Sequence, residues 1–342
     1  MKKEEKQLSK QKYQGIDLFK FIMSILVIAI HTHPLENSTN IVLNTIYTVF
    51  VKMAVPFFFI ASGYLLAIKL ETPFNSEKNI NALKNYLKKI IKMYITWTII
   101  YAPIAIYKYI DTGTTFAKAL FAYVRNFIFV GENYNSWILW YLLSTIYALI
   151  IIIFLIKKRL SLPKVFIVGC LSLIISFAID IFMGYNGMLP SIFVITRKII
   201  AFTIKNGRIL TGMFYIALGM FIANKKISNI ASYIMFIVGF IANYFIKDNL
   251  ISSILLIIHV TGLFGIAKSI KLKPSLVYPF LREMSTEIYL IHLYIWTIYY
   301  KITYNTKTFG MDSFLITTIT CLIISFIIVY YKNKRRLSNC KM

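Results

Sequence analysis

Ile16-Asp17-Leu18-Phe19-Lys20-Phe21-Ile22-Met23-Ser24-Ile25-Leu26-Val27-Ile28-Ala29-Ile30-His31-Thr32-His33-Pro34-Leu35 decides the fold class of this chain. Coiled as an α-helix at about 1.5 Å per residue, such a run is about 30 Å long, the thickness of a bilayer core. Comparable runs recur outward from it, at roughly 44–68, 93–110, 137–156, 164–183, 208–224, 230–246, 251–268, 284–301 and 312–331. The chain reads as an all-α, polytopic membrane protein with about ten transmembrane helices. Composition agrees: 58% of the 342 residues are hydrophobic and 15% charged, against about 25% charged in a soluble domain. The first run ends in Ile30-His31-Thr32-His33-Pro34 with no small-residue cleavage site, so no cleaved signal peptide is expected.

The net charge of +25 would suggest nucleic acid in a soluble domain. Here it follows topology instead, and no nucleic-acid partner is expected. Lys20 and Lys52 fall inside spans. Of the other 36 basic residues, 26 lie in segments that are cytoplasmic when the N-terminus is inside, and 10 lie outside. The positive-inside rule then gives an N-in/C-in arrangement. The chain divides into a basic N-terminal segment 1–15, a transmembrane domain 16–331 and a basic tail 332–342. Stretches 112–135 and 184–207 are candidates for re-entrant or interfacial helices. No internal repeat is visible, which weakens a transporter reading. Cys170, Cys321 and Cys340 do not form a disulfide framework. Richness in Lys, Ile and Asn suggests an AT-rich, bacterial genome and hence a cytoplasmic membrane.

Between the second and third spans, Lys84, Lys88 and Lys92 recur every four residues, with Leu83, Leu87, Ile90 and Ile91 opposite. This predicts a basic amphipathic helix over about 78–92, with two readings: binding of anionic membrane lipids, or docking of a phosphate-rich ligand.

Ionisable groups within spans are functional candidates by default. The first span holds Asp17, Lys20 and His31. Asp17 is three residues before Lys20 and within pairing reach, although both side chains could also snorkel to the interface. Lys20 and His31 share a face about 16 Å apart along the axis. Histidine suits general-base work near neutral pH; an ordinary helix-end histidine is the bland alternative. The ninth span adds Glu287 and His292 and so is expected to line a polar interior. His259, alone on an apolar helix, reads as a satisfied core residue. A metal site is not expected, because His31 and His33 point to different faces and no Cys or carboxylate cluster completes a ligand set.

Several motifs then converge. Gly15-Ile16-Asp17-Leu18-Phe19-Lys20, ten residues and His31-Thr32 resemble the first-helix signature of the membrane acyltransferase-3 family. Val55-Pro56-Phe57-Phe58-Phe59-Ile60-Ala61-Ser62-Gly63-Tyr64, Leu139-Trp140-Tyr141-Leu142, Lys205-Asn206-Gly207 with Leu218-Gly219, and Tyr289-Leu290-Ile291-His292 are similar to that family's later elements in order and spacing. The look is nearest to the membrane half of vancomycin-resistance serine racemases. The chain ends soon after Arg336-Leu337, so no pyridoxal phosphate site is expected.

The resemblance implies a ten-helix enzyme that takes an acyl group, usually acetyl, from cytoplasmic acetyl-CoA. It delivers the group to a hydroxyl of an extracytoplasmic cell-envelope glycan, glycolipid or small acceptor. His31 corresponds to the family's essential histidine and Lys20 to its arginine. Asp17 would orient Lys20, with Glu287 and His292 completing the catalytic set. Lys20, Lys52, Lys84, Lys88 and Lys205 would supply positive potential for the donor, and Trp140, Tyr141 and Ser62 would meet the acceptor. This chain departs from the pattern in carrying Lys at 20, 52 and 205 where the look-alikes carry Arg, and a lysine cannot form a bidentate fork. Ile138 replaces a histidine of the racemase-type segment. The alternative function is a carrier for a small polar solute such as serine.

Overall fold

The computed structural model describes residues 13–204, 207–225 and 227–339, and among these every regular element is helical. In chain order they are α1 Gln14–Thr32, α2 Ile41–Lys52, α3 Ala54–Ala67, α4 Glu77–Asp111, α5 Phe116–Arg125, α6 Leu139–Lys157, α7 Leu162–Gly184, α8 Ser191–Thr203, α9 Arg208–Ala223, α10 Asn229–Phe245, α11 Asn249–Ser269, α12 Val277–Thr303 and α13 Met311–Asn339. Each of the ten apolar segments falls on a helix. Among the described residues seven spans are long and apolar enough to cross a membrane, and an eighth forms if α8 and α9, bent by 65°, count as one broken span. The protein is a multi-pass, all-α membrane protein. The basic segments Lys2 to Lys12 and Lys341 lie outside the described residues, as do Lys205 and Cys340.

The second span is one membrane-length helix over Ile41–Ala67, with its hydrogen-bonding pattern interrupted at Met53. Pro56 lacks the N–H that would bond the carbonyl of Lys52 four residues earlier, so α2 stops at Lys52 and α3 restarts at Ala54. The basic amphipathic segment and the third span are one helix, because no Gly or Pro lies between Glu77 and Ala102. At 35 residues, α4 is about 52 Å long, well beyond the bilayer core, so its basic N-terminal turns extend past the membrane. There Leu83 and Ile90 are buried while Lys84, Lys88 and Lys92 are exposed. Of the two doubtful stretches, the first holds α5 and a π-helical turn at Asn126–Val130, and the second holds α8. At 10 and 13 residues, neither α5 nor α8 crosses a bilayer alone.

The chain forms two compact units, one of residues up to Phe58 together with those from Ile227, the other running from Phe59. In the first, α12 packs against α1 and α13, α10 and α11 form a hairpin, and α2 lies on α1 and α10. In the second, α6 packs against α4 and α9, and α9 packs against α7. Within that unit Gly63 of α3 faces the carbonyl of Ile216, and Gly219 of α9 faces the carbonyl of Ile60. The two glycines thus face one another's backbones where α3 crosses α9. Small residues at such a crossing let the backbones close up.

Candidate functional site

The first unit brings its ionisable side chains together on α1 and α12. At one end, Arg282 Nη1 lies 3.4 Å from Asp17 Oδ2, with the Asp17 side chain 4% exposed and that of Arg282 45%. At the other end, the rings of His31 and His292 stack with centroids 5.3 Å apart and planes at 29°. Both contacts rise in residue number on both helices, so α1 and α12 run parallel. Asp17 and His31 are about 21 Å apart along α1.

His292 is fully buried. Its Nδ1 lies 3.2 Å from the carbonyl oxygen of Ile288. A carbonyl only accepts, so Nδ1 carries the proton and Nε2 presents a lone pair. That Nε2 is buried without a hydrogen-bond partner. Buried polar atoms are nearly always satisfied in folded proteins, so an open acceptor nitrogen against a second imidazole is a chemically poised feature. The end of α1 that carries His31 is fixed from several sides. Tyr47 Oη donates to the Ala29 carbonyl at 2.6 Å, Gly310 N donates to the Thr32 carbonyl at 2.9 Å, and His33 packs edge-on against Phe309 at 5.0 Å. The His33 backbone is left-handed, with φ of 45°, which turns the chain sharply as α1 ends.

Asp17 therefore has Arg282 of α12 as its ion-pair partner, while Lys20, to which the i,i+3 spacing pointed, also acts on the carboxylate through its charge. Lys20 sits half-buried one turn further along α1. Glu287 is directed toward α13, where Lys332 Nζ lies 3.7 Å from its Oε1. Lys52 lines a cleft with Thr45, Thr48 and residues of α10 and α11. His259 is buried, but it is not the satisfied core histidine expected. Neither ring nitrogen has a partner, and the ring packs against Phe236 at 4.9 Å and Phe240 at 5.9 Å. Among the described residues no group of three or more His, Cys, Asp and Glu side chains could hold a metal ion.

Within the second unit, Ser62 Oγ and Tyr141 Oη lie 3.2 Å apart, and Tyr141 packs on Phe59 at 4.4 Å. Trp140 stands under the guanidinium of Arg208 at 4.4 Å, and Arg208 Nη2 donates to Glu132 Oε2 at 2.6 Å. Glu132, Arg208 and Arg282 escaped the sequence reading. Glu132 and Arg282 lie outside the apolar runs or at their edges, and nothing local marks their partners, which lie 76 and 265 residues away.

Removing the guanidinium should leave the buried Asp17 without its ion-pair partner, with only the charge of Lys20 nearby. Arg282→Ala is expected to destabilise the protein by roughly 2 kcal/mol, below the usual figure for a fully buried pair because Arg282 is half exposed. Adding Asp17→Asn to that variant should recover most of the loss. Thermal unfolding in detergent checks this; an Arg282→Ala midpoint equal to the parent's would refute the pairing.

A family model described as an acyltransferase domain, of the acyltransferase-3 type, matches residues 13–330. An amino-acid racemase of Enterococcus faecalis is 24% identical over 97% of this chain and 48% of its own length. A serine/alanine racemase of Enterococcus gallinarum is 38% identical over 28% of this chain and 14% of its own length. The chain thus spans about half the length, or less, of the curated relatives it matches. No solved structure is a significant match.

Proposed function

The chain belongs to the acyltransferase-3 family, and from that premise we propose that it moves an acetyl group from acetyl-CoA to a hydroxyl of a cell-envelope glycan or glycolipid. The membrane and acyltransferase character follow from the helices and the family. Donor, acceptor and residue roles are the proposal. The observation that carries it is the stacked His31 and His292 pair, held at one end of the parallel α1 and α12 with a charged cluster at the other.

On this reading His31 takes the proton of the acceptor hydroxyl as its oxygen attacks the thioester carbonyl. The tetrahedral adduct collapses with cleavage of the carbon–sulfur bond, and the departing thiolate recovers the proton to leave as free coenzyme A. His292, with its open Nε2, supports the protonated state of the pair. Lys20 holds the donor's negative charge about 16 Å away along α1, a separation that an extended thioester arm can bridge. Lys84, Lys88 and Lys205 add positive potential for the donor phosphates, and Trp140, Tyr141 and Ser62 belong to acceptor recognition.

The test is release of free coenzyme A from acetyl-CoA by the purified protein in lipid, with and without His31. No release, together with no thermal stabilisation by acetyl-CoA, would replace the enzyme with a solute carrier. Sidedness is part of the proposal, with the N-terminus and the Lys84 to Lys92 turns inside a bacterial cytoplasmic membrane. A cysteine placed at the exposed Asn85 of α4 should react with a membrane-impermeant maleimide only after cells are opened. Labelling in intact cells would reverse the topology.

A further inference from the structure

We propose that α2, α10 and the turn into α11 form a binding site for an anionic membrane lipid, with the headgroup oxyanion between Lys52 and Lys247 and an acyl chain along the neighbouring groove. A cleft of about 50 Å³ opens along the seam of α2 with the α10–α11 hairpin. Its polar lining is Thr45, Thr48, Lys52, Asn243, Lys247 and Ser252, with two ammonium groups and no carboxylate.

Some of that polarity is already committed. Ser252 Oγ donates to Asn243 Oδ1 at 3.0 Å, and Asn243 Nδ2 donates to the Gly239 carbonyl at 2.8 Å. Both residues are buried, so they hold the floor of the cleft rigid. The nearest acidic side chain in the turn, Asp248, is engaged in capping α11 through the Ile251 N–H. Lys247 Nζ lies 3.3 Å from Thr45 Oγ1, which fixes that ammonium at the rim. Two cations over a neutral polar floor, in a space the size of one small group, call for a phosphate-sized oxyanion.

A second opening of about 230 Å³ lies beside the first on the same seam, walled by Val42, Ile46, Phe240, Ile241, Tyr244 and Phe245. It is lined by aliphatic and aromatic side chains, and its walls are exposed, Val42 at 53% and Phe245 at 72%. The residue positions interleave, with 42 and 46 on α2 next to 45 and 48, and 244 and 245 on α10 next to 243 and 246. A ligand with a charged head and an apolar tail fits both openings at once. A free anion uses only the first, and bulk acyl chains use only the second.

The experiment is native mass spectrometry of the full chain in detergent, titrated with phosphatidylglycerol or with phosphatidylcholine of the same chains. One phosphatidylglycerol should be retained and phosphatidylcholine should not. Lys52→Gln with Lys247→Gln should weaken retention at least tenfold. Lys118→Gln with Lys164→Gln, which removes the same charge from exposed positions elsewhere, should leave it unchanged. Ile46→Trp, which fills the groove, should also weaken it while sparing any binding of inorganic phosphate. Equal retention in the Lys52/Lys247 variant, or equal loss in the Lys118/Lys164 variant, overturns the site. Binding of inorganic phosphate with no effect of Ile46→Trp on phosphatidylglycerol overturns the lipid and leaves an anion site.

Discussion

His31→Ala is expected to lower release of coenzyme A from acetyl-CoA by about 10²- to 10⁴-fold, the usual contribution of a general base. That corresponds to roughly 3–5 kcal/mol of transition-state stabilisation. The fold should survive the change, because the end of α1 is held through backbone carbonyls of Ala29 and Thr32 and not through the imidazole alone. Thermal stabilisation by acetyl-CoA should therefore persist in the variant, which separates lost chemistry from lost donor binding. His292→Ala should be milder, with a kcat lower by about tenfold and an altered pH profile. On the proposed mechanism His292 acts on the proton held by its neighbour, whereas a purely structural residue would change the melting temperature and leave the pH profile in place. Full turnover in His31→Ala would sink the mechanism whatever else the variant does.

The fold was legible because bilayer-length apolar runs leave few alternatives to a helix, and runs such as Leu139–Lys157 and Asn249–Ser269 were read to within a few residues. The interruption at Met53 within the second span was also written in the chain, as the proline at 56, but continuous hydrophobicity masked it. Periodicity detected the exposed lysines of α4. It could not tell that Leu83 and Ile90 are buried within the protein rather than resting on lipid.

The candidate site was legible only where its parts share one helix. Asp17, Lys20 and His31 could be placed on α1 by counting turns. The Asp17 to Arg282 pair and the stacking of His31 on His292 depend on which helix lies beside α1, which no local pattern encodes. A buried carboxylate takes whichever cation tertiary packing offers, and the guanidinium of α12 reaches it. Glu287 shows the converse. Its place on the histidine-bearing helix suggested a shared site, but five residues of rotation turn it toward α13 and Lys332. Motif resemblance likewise joined residues with different duties. Ser62 and Gly63 are adjacent, yet one hydroxyl meets Tyr141 and the other position exists for backbone contact.

Gly219→Ala provides the second large effect, and its sign is the informative part. Replacing glycine by alanine inside a helix ordinarily stabilises it by up to about 1 kcal/mol. At Gly219 a Cβ would stand 2.8 Å from the Tyr64 amide nitrogen and closer still to the Ile60 carbonyl oxygen. Both are backbone atoms that cannot rotate away, so α3 and α9 must separate. A loss of about 2–3 kcal/mol is expected, at the upper end of the overpacking range. Gly63→Ala should behave alike, since its Cβ would meet the Ile216 backbone, with the carbonyl carbon at 2.8 Å. Gly184 closes α7 with nothing within 4 Å of a Cβ, and Gly184→Ala should hold or raise the melting temperature. If all three variants melt alike, the α3–α9 crossing is looser than described, and the glycines of those two motifs would need a role other than packing.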